Sequence, residues 1–231
     1  MIDLYGGDTP NVFKPLIALA ELGIAYRRMP VDLANGEQLK PEFLAISPNN
    51  RVPVIVDHEP ADGGEPISVF ESGAILTYLA EKAGALLPTD ARIRKTVIEW
   101  LMWQMSAQGP MLGQAGYYRN FSGEKVPHSI ERYSNEAKRV YRVLDTRLRD
   151  REYVAGDFYS IADIACWPWI IFRSFHGPVL EDYPALQRWY HAIEARPAVA
   201  RALADFELFK PRVYTDEERE VLFRQDGTAN R

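Results

Sequence analysis

Near residue 86 the chain changes its period, and this limits the available folds more than any other feature. Residues 1–86 alternate short β-type runs with helical ones, whereas from residue 87 onward every periodic segment is helical. Charge divides at the same place. The first 86 residues hold six Lys and Arg against twelve Asp and Glu, and the remainder holds twenty-one against twenty. A chain built this way predicts an α/β unit over 1–86, followed by an all-helical unit over 91–231 with an extension after about residue 205.

In the first unit, Ile2 to Tyr5 reads as a strand leaving through Gly6-Gly7. A helix is predicted from about Asn11 to Leu22 with Gly23 as its stop, and Pro15 belongs in or near its first turn. Tyr26–Val31, Val52–Val56 and Ile67–Phe70 read as strands, and Asp62-Gly63-Gly64-Glu65 as the hairpin turn between the last two. Pro41–Ile46 opens a short helical turn, and Ser72–Lys82 a helix closed by Gly84. The order β-α-β-α-β-β-α predicts a mixed four-stranded sheet. In the second unit, a helix from Ile93 to Gln108 is expected to break or kink at Pro110. A long amphipathic helix follows over 129–150. Ser160-Ile161-Ala162-Asp163 reads as a capping box that opens a very apolar helix, and Thr215-Asp216-Glu217-Glu218 as another. Proline at the first position starts helices at Pro184 and Pro197, and the last residues, 226–231, read as frayed.

Composition removes several classes of function. One cysteine, Cys166, excludes an internal disulfide framework and a Cys-rich metal site, and the four histidines show no metal-ligand spacing. A net charge of −5 argues against a nucleic-acid binder. The longest uncharged run, Trp100–Tyr118, carries three glutamines and a proline and does not read as a membrane span. The opening residues do not read as a signal peptide, so the expected compartment is the cytoplasm.

Three local features bear on chemistry. Thr9-Pro10-Asn11 reads as a helix N-terminus. Its side chains either cap the helix or, with the free backbone N–H groups, stabilise an anion such as a thiolate. Val52-Pro53 stands ahead of a β-run. It is either an ordinary edge proline or a cis bend that offers the Val52 backbone to an extended peptide. Glu71-Ser72 stands where a strand runs into a helix, as plain caps or as a carboxylate and a hydroxyl for a ligand's ammonium and carboxylate. Tyr5 lies in an apolar strand and reads as core before catalyst. Trp100, Trp103, Trp167 and Trp169 read as core or pocket wall, and Tyr117 and Tyr118 as candidates for a second-substrate cleft.

Met1–Tyr5, Asn49–Pro53 and Phe70–Ile75 together resemble the thioredoxin-like domain of glutathione transferases, and Ser160–Ala165 resembles the capping-box helix of their helical domain. Thr9–Asn11, Ile46–Arg51, Pro60–Pro66 and Gly109–Gln114 narrow the resemblance to the bacterial nu class, which acts as glutathione-dependent disulfide-bond reductases. The resemblance covers residues 1 to about 205.

It implies glutathione as cosubstrate, no metal, and a homodimer. Thr9 and Asn11 are implied to face the glutathione sulfur. Val52 beside a cis Pro53 is implied to pair with the cysteinyl backbone, and Glu71 and Ser72 to hold the γ-glutamyl end. Gln38, with Lys40, is implied to reach the glycyl end, and Arg132 the ligand of the neighbouring subunit. Pro15 departs from the family pattern next to the thiol site. The implied activity is disulfide reduction by bound glutathione thiolate. The alternatives are conjugation of glutathione to electrophiles, or a non-catalytic glutathione-fold binding or regulatory protein.

Overall fold

The computed structural model describes residues 1–204 and 214–223. Strand β1 (Ile2–Tyr5) leads into helix α1 (Pro10–Leu22), followed by β2 (Tyr26–Met29), the short α2 (Pro41–Leu44), β3 (Val54–Asp57), β4 (Ile67–Phe70) and α3 (Ser72–Ala83). The sheet order is β2-β1-β3-β4. β1 is parallel to β2, with Ile2 opposite Tyr26, and antiparallel to β3, with Tyr5 opposite Val54. β4 pairs antiparallel with β3, Val54 opposite Phe70. The strand period of two sends Ile2, Leu4 and Ile55 into the main core, while Val54 packs with Val31, Phe43 and Tyr5 on the opposite face. Tyr5 is thus part of a core, as its strand position predicts.

Both helix stops are glycines with left-handed backbone, Gly23 at φ 65° and Gly84 at φ 65°, the conformation that favours a residue without Cβ. Pro15 departs from the expectation: it is the sixth residue of α1, beyond the first turn, and is buried. Lacking an N–H, it leaves the Asn11 carbonyl without its usual donor in the next turn. β3 also begins two residues later than the sequence predicts, so Val52 and Pro53 precede the ladder.

The helical part comprises α4 (Ala91–Trp103), α5 (Gly109–Gly116), α6 (Pro127–Leu148), α7 (Ile161–Ile171), α8 (Arg173–His176), α9 (Pro184–Glu194), α10 (Pro197–Leu203) and α11 (Asp216–Phe223). Pro110 does not end the first of these. Wide π-type turns at 104–108 and 117–121 carry the chain from α4 through α5, and Pro110 sits at the start of α5. Both capping boxes form. Ser160 and Asp163 exchange their reciprocal bonds at α7, and Thr215 and Glu218 do so at α11. The predicted frayed end, 226–231, lies outside the described residues.

Helix α1 joins the two parts, lying against α3, α7 and α10. One continuous core runs from Ile2 and Leu16 through Val97 and Trp167 to Ala202. At its edge Arg196 binds Glu21 of α1 through two hydrogen bonds of 2.6 and 3.0 Å. No helix among the described residues is long and apolar enough to cross a membrane.

Candidate functional site

Thr9 is the N-cap of α1, and its Oγ1 accepts the Val12 N–H at 3.3 Å. A hydroxyl that accepts there still has its own O–H to donate. Pro10 has no N–H, and the Asn11 N–H lies in the first turn, where a helix offers no partner. At the start of α3, Glu71 adopts φ 68°, unusual for a side chain with Cβ, and makes no capping bond. Its Oε1 accepts from Asn49 Nδ2 at 3.4 Å. Capping therefore does not explain Glu71, whose carboxylate borders open space. The Val52–Pro53 peptide bond is cis.

Three clefts meet at this helix end. One, of about 200 Å³, is bordered by Asn11, Ser47, Asn49, Arg51, Val52, Pro53, Phe70, Glu71 and Ser72. A second, of about 170 Å³, runs past Thr9, Asn11, Leu33, Gln38, Asn50, Arg51 and Val52 to Leu222 of α11. The two share Asn11, Arg51 and Val52, so they form one strip from Glu71 and Ser72 to Gln38. A third, of about 460 Å³, opens between the sheet part and the helical part, bordered among others by Asn11, Lys14, Glu71, Gln104, Gln114 and Trp169. Asn11 and Arg51 border all three.

The residues singled out in the sequence fall into two sets. Thr9, Asn11, Gln38, Val52, Pro53, Glu71 and Ser72 come together along the strip. Lys40 is exposed, pairs with Glu37 at 3.1 Å and borders none of these clefts. Arg132 is exposed on α6 and also lies apart from them. Tyr117 and Tyr118 do not border the large cleft. They belong to an aromatic cluster, with Tyr117 5.3 Å from Phe223 and Tyr118 stacked on Tyr133 at 5.3 Å. Trp100 and Trp103 form an edge-to-face pair and Trp167 is buried, leaving Trp169 as the member of that set on the cleft wall.

Lys14 is a functional candidate that sequence reasoning passed over, and Trp169, read there as core or pocket wall, is on the cleft wall with a specific partner. Lys14 is 1% exposed in an otherwise apolar helix face. Its Nζ donates to Gln104 Oε1 at 2.6 Å and to Ser72 Oγ at 3.2 Å. Burial pulls its pKa down to about 7, and the neighbouring Cys166 and Glu71 resist that fall. A charged residue inside the run Val12–Leu19 is the signal that marks it. Trp169 donates its indole N–H to Asn11 Oδ1 at 3.1 Å. Buried Gln38 Oε1 and Gln104 Nε2 have no partner among the described residues, leaving an acceptor near one end of the strip and a donor in the wall of the large cleft. This chemistry suits a polar, extended ligand carrying both charges.

Residues 2–81 match the family model described as glutathione S-transferase, N-terminal domain, and residues 110–197 match glutathione S-transferase, C-terminal domain. The chain is 49% identical over 208 residues to the disulfide-bond oxidoreductase YfcG of Escherichia coli, a match covering 90% of this chain and 97% of that protein. It is 35% identical to the disulfide-bond oxidoreductase YghU of the same organism, over 87% of this chain and 73% of that one. A Burkholderia graminis glutathione transferase, solved with two glutathione molecules bound per subunit, superimposes with a TM-score of 0.83 at 43% identity, covering 89% and 88% of the two chains. A Pseudomonas putida glutathione transferase with one glutathione disulfide per subunit gives 0.82 at 40% identity, covering 88% and 91%.

Proposed function

Because the chain belongs to the glutathione S-transferase family, we propose that it is a glutathione-dependent disulfide-bond oxidoreductase. The observation that carries this is the convergence of three clefts on Asn11. Two of them form a strip that accommodates an extended tripeptide, and the third holds its reaction partner beside the same side chain.

In this reading Glu71 pairs with the γ-glutamyl ammonium, and Ser72 and the first turn of α3 hold its carboxylate. Val52 offers its backbone to the cysteinyl residue, and Gln38 takes the glycyl end, with Lys40 reaching it only by leaving Glu37. Thr9 and Asn11 donate to the sulfur, and with the positive end of α1 they favour its thiolate. Bound glutathione supplies that nucleophilic sulfur. The substrate's S–S bond breaks, one substrate sulfur joins the glutathione sulfur, and the other leaves as a thiolate that takes up a proton. A second glutathione thiol repeats the exchange, so two thiols are oxidised for each disulfide reduced. The protein supplies position and charge.

Lys14, Arg51, Gln104 and Gln114 give the large cleft a polar wall, which favours a peptide-like disulfide over an apolar electrophile. The units 1–86 and 91–231 act together in a cytoplasmic homodimer, where Arg132, exposed on α6, reaches the ligand of the neighbouring subunit. Replacing Asn11 by Ala is expected to lower kcat/KM for a small disulfide about 10²-fold, as loss of one aligned donor to a developing anion does elsewhere. Unchanged rates in both Asn11→Ala and Thr9→Ala variants would overturn the reading. Faster turnover of an aromatic electrophile than of the disulfide would favour conjugation.

A further inference from the structure

The two ends of an asparagine amide have nearly the same shape, so which end faces a ligand is decided by hydrogen bonding. At Asn11 that decision is made by one partner. An indole N–H donates and cannot accept, and the Trp169 N–H lies 3.1 Å from Asn11 Oδ1. The oxygen end is therefore held by α7, which leaves the NH2 end, on a residue that borders all three clefts, as the end not engaged by the indole.

We propose that Trp169 is a positioning residue of the thiol site: its indole N–H locks the Asn11 amide with both Nδ2 hydrogens available to the glutathione sulfur. This rests on the assignment of Asn11 to that sulfur. Without the lock, the amide turns over freely, and its flipped form presents an oxygen to a thiolate.

The surroundings of the indole fit a part whose orientation matters. Gly109 and Gly113, one turn apart on α5, lie against it. A Cβ built on either would sit 3.5 Å from the ring, at ordinary van der Waals distance, so α5 packs directly against the indole. His176 stacks on it with ring centroids 5.8 Å apart and planes 27° from parallel. Burial, with Arg119 nearby, lowers the His176 pKa to about 3, so the stacked ring is neutral across the working pH range. Trp169 borders only the cleft between the two parts, whereas Asn11 borders all three. The helical part thus completes a sulfur site that otherwise belongs to α1.

The test removes the N–H and keeps the ring. Trp169→Phe does this approximately. Benzothienylalanine at position 169, with sulfur in place of the indole N–H, does it with almost no change of shape. Both proteins should melt within a few degrees of the parent and bind S-methylglutathione normally. For reduction of a small disulfide, kcat/KM should fall about tenfold, since one donor becomes misaligned without being deleted. The acidic limb of the pH–rate profile should move to higher pH as the bound thiolate loses stabilisation.

In an Asn11→Ala background, the same replacements should change the rate by less than about twofold, because nothing is left to position. An equal tenfold loss in that background would overturn the proposal and give the indole a direct contact with the disulfide. So would parental rates in both Trp169 variants alongside a strongly impaired Asn11→Ala protein. Parental activity in the Asn11→Ala protein itself would remove Asn11 from the sulfur and take down the functional reading as well.

Discussion

Two fully buried ionisable side chains, Lys14 on α1 and Asp163 on α7, show how differently a fold treats such a group. Asp163 accepts from Val154 N–H at 2.8 Å, Trp189 Nε1 at 2.9 Å, and Ser160 through its N–H at 3.0 Å and its Oγ at 3.1 Å. Burial pushes its carboxyl up to about 6 while those donors pull the other way. It borders none of the clefts at the α1 end. Lys14 has two neutral partners, Gln104 and Ser72, and borders the large cleft. Asp163 is therefore saturated from within, and Lys14 retains capacity for an anion that arrives from outside. Burial alone does not distinguish a structural charge from a functional one; what its remaining capacity faces does.

The sharpest way to break this contrast is Asp163→Ala. It strands the Val154 and Trp189 donors and dissolves the capping box of the central helix, so unfolding free energy should drop by about 4 kcal/mol. Denaturant titration measures the loss, and the affinity of the folded fraction for S-methylglutathione should stay at the parental value. A large loss of affinity with the fold intact would make Asp163 part of the site and erase the distinction.

Lys14→Met should behave in the opposite sense. In the unfolded chain a lysine keeps its proton to about pH 10.4, whereas in the folded chain Lys14 gives it up near pH 7. Between those values the unfolded state holds the extra proton, so the parent gains stability as pH rises from 7 to 10, and below 7 the cost stays constant. Lys14→Met should flatten that rise, a difference on the order of 3 kcal/mol across the window. It should also weaken S-methylglutathione binding about tenfold, equivalent to about 1.4 kcal/mol. A parallel pH slope in the variant would show that Lys14 stays charged throughout.

The same pair shows what a single sequence reveals. Ser160-Ile161-Ala162-Asp163 is legible because a capping box is written in four consecutive residues, and Gly23, Gly84 and Glu218 are legible for the same local reason. Thr9, Asn11, Val52, Glu71 and Ser72 could be singled out as features of their own turns. The partners that complete the site could not. Gln104 lies 90 residues from Lys14, and Trp169 lies 158 residues from Asn11. Nothing in either segment encodes which distant segment will face it. Local rules also misplace Pro15, since α1, packed against α7 and α10, stays helical past it, and they miss the π-type turn at 104–108 that precedes Pro110 at the start of α5.

The smallest expected effect tests whether α7 carries chemistry of its own. Cys166 is the single cysteine, has no exposed surface, and lies close enough to Lys14 for the two to influence each other's protonation. Burial raises its thiol pKa well above the ordinary range, and Lys14 only partly offsets this, so the nucleophilic thiolate form is suppressed. Its backbone carbonyl accepts from Gln108 Nε2 at 3.1 Å, a bond any side chain at 166 would preserve. Cys166→Ala should therefore cost about 1 kcal/mol for the small void it leaves, measured by thermal melting, with kcat/KM for the disulfide unchanged. Activity that fell with the fold intact would put a sulfur of the protein into the exchange. In that case α7 could no longer be read as scaffold beside a cleft whose sulfur comes from glutathione.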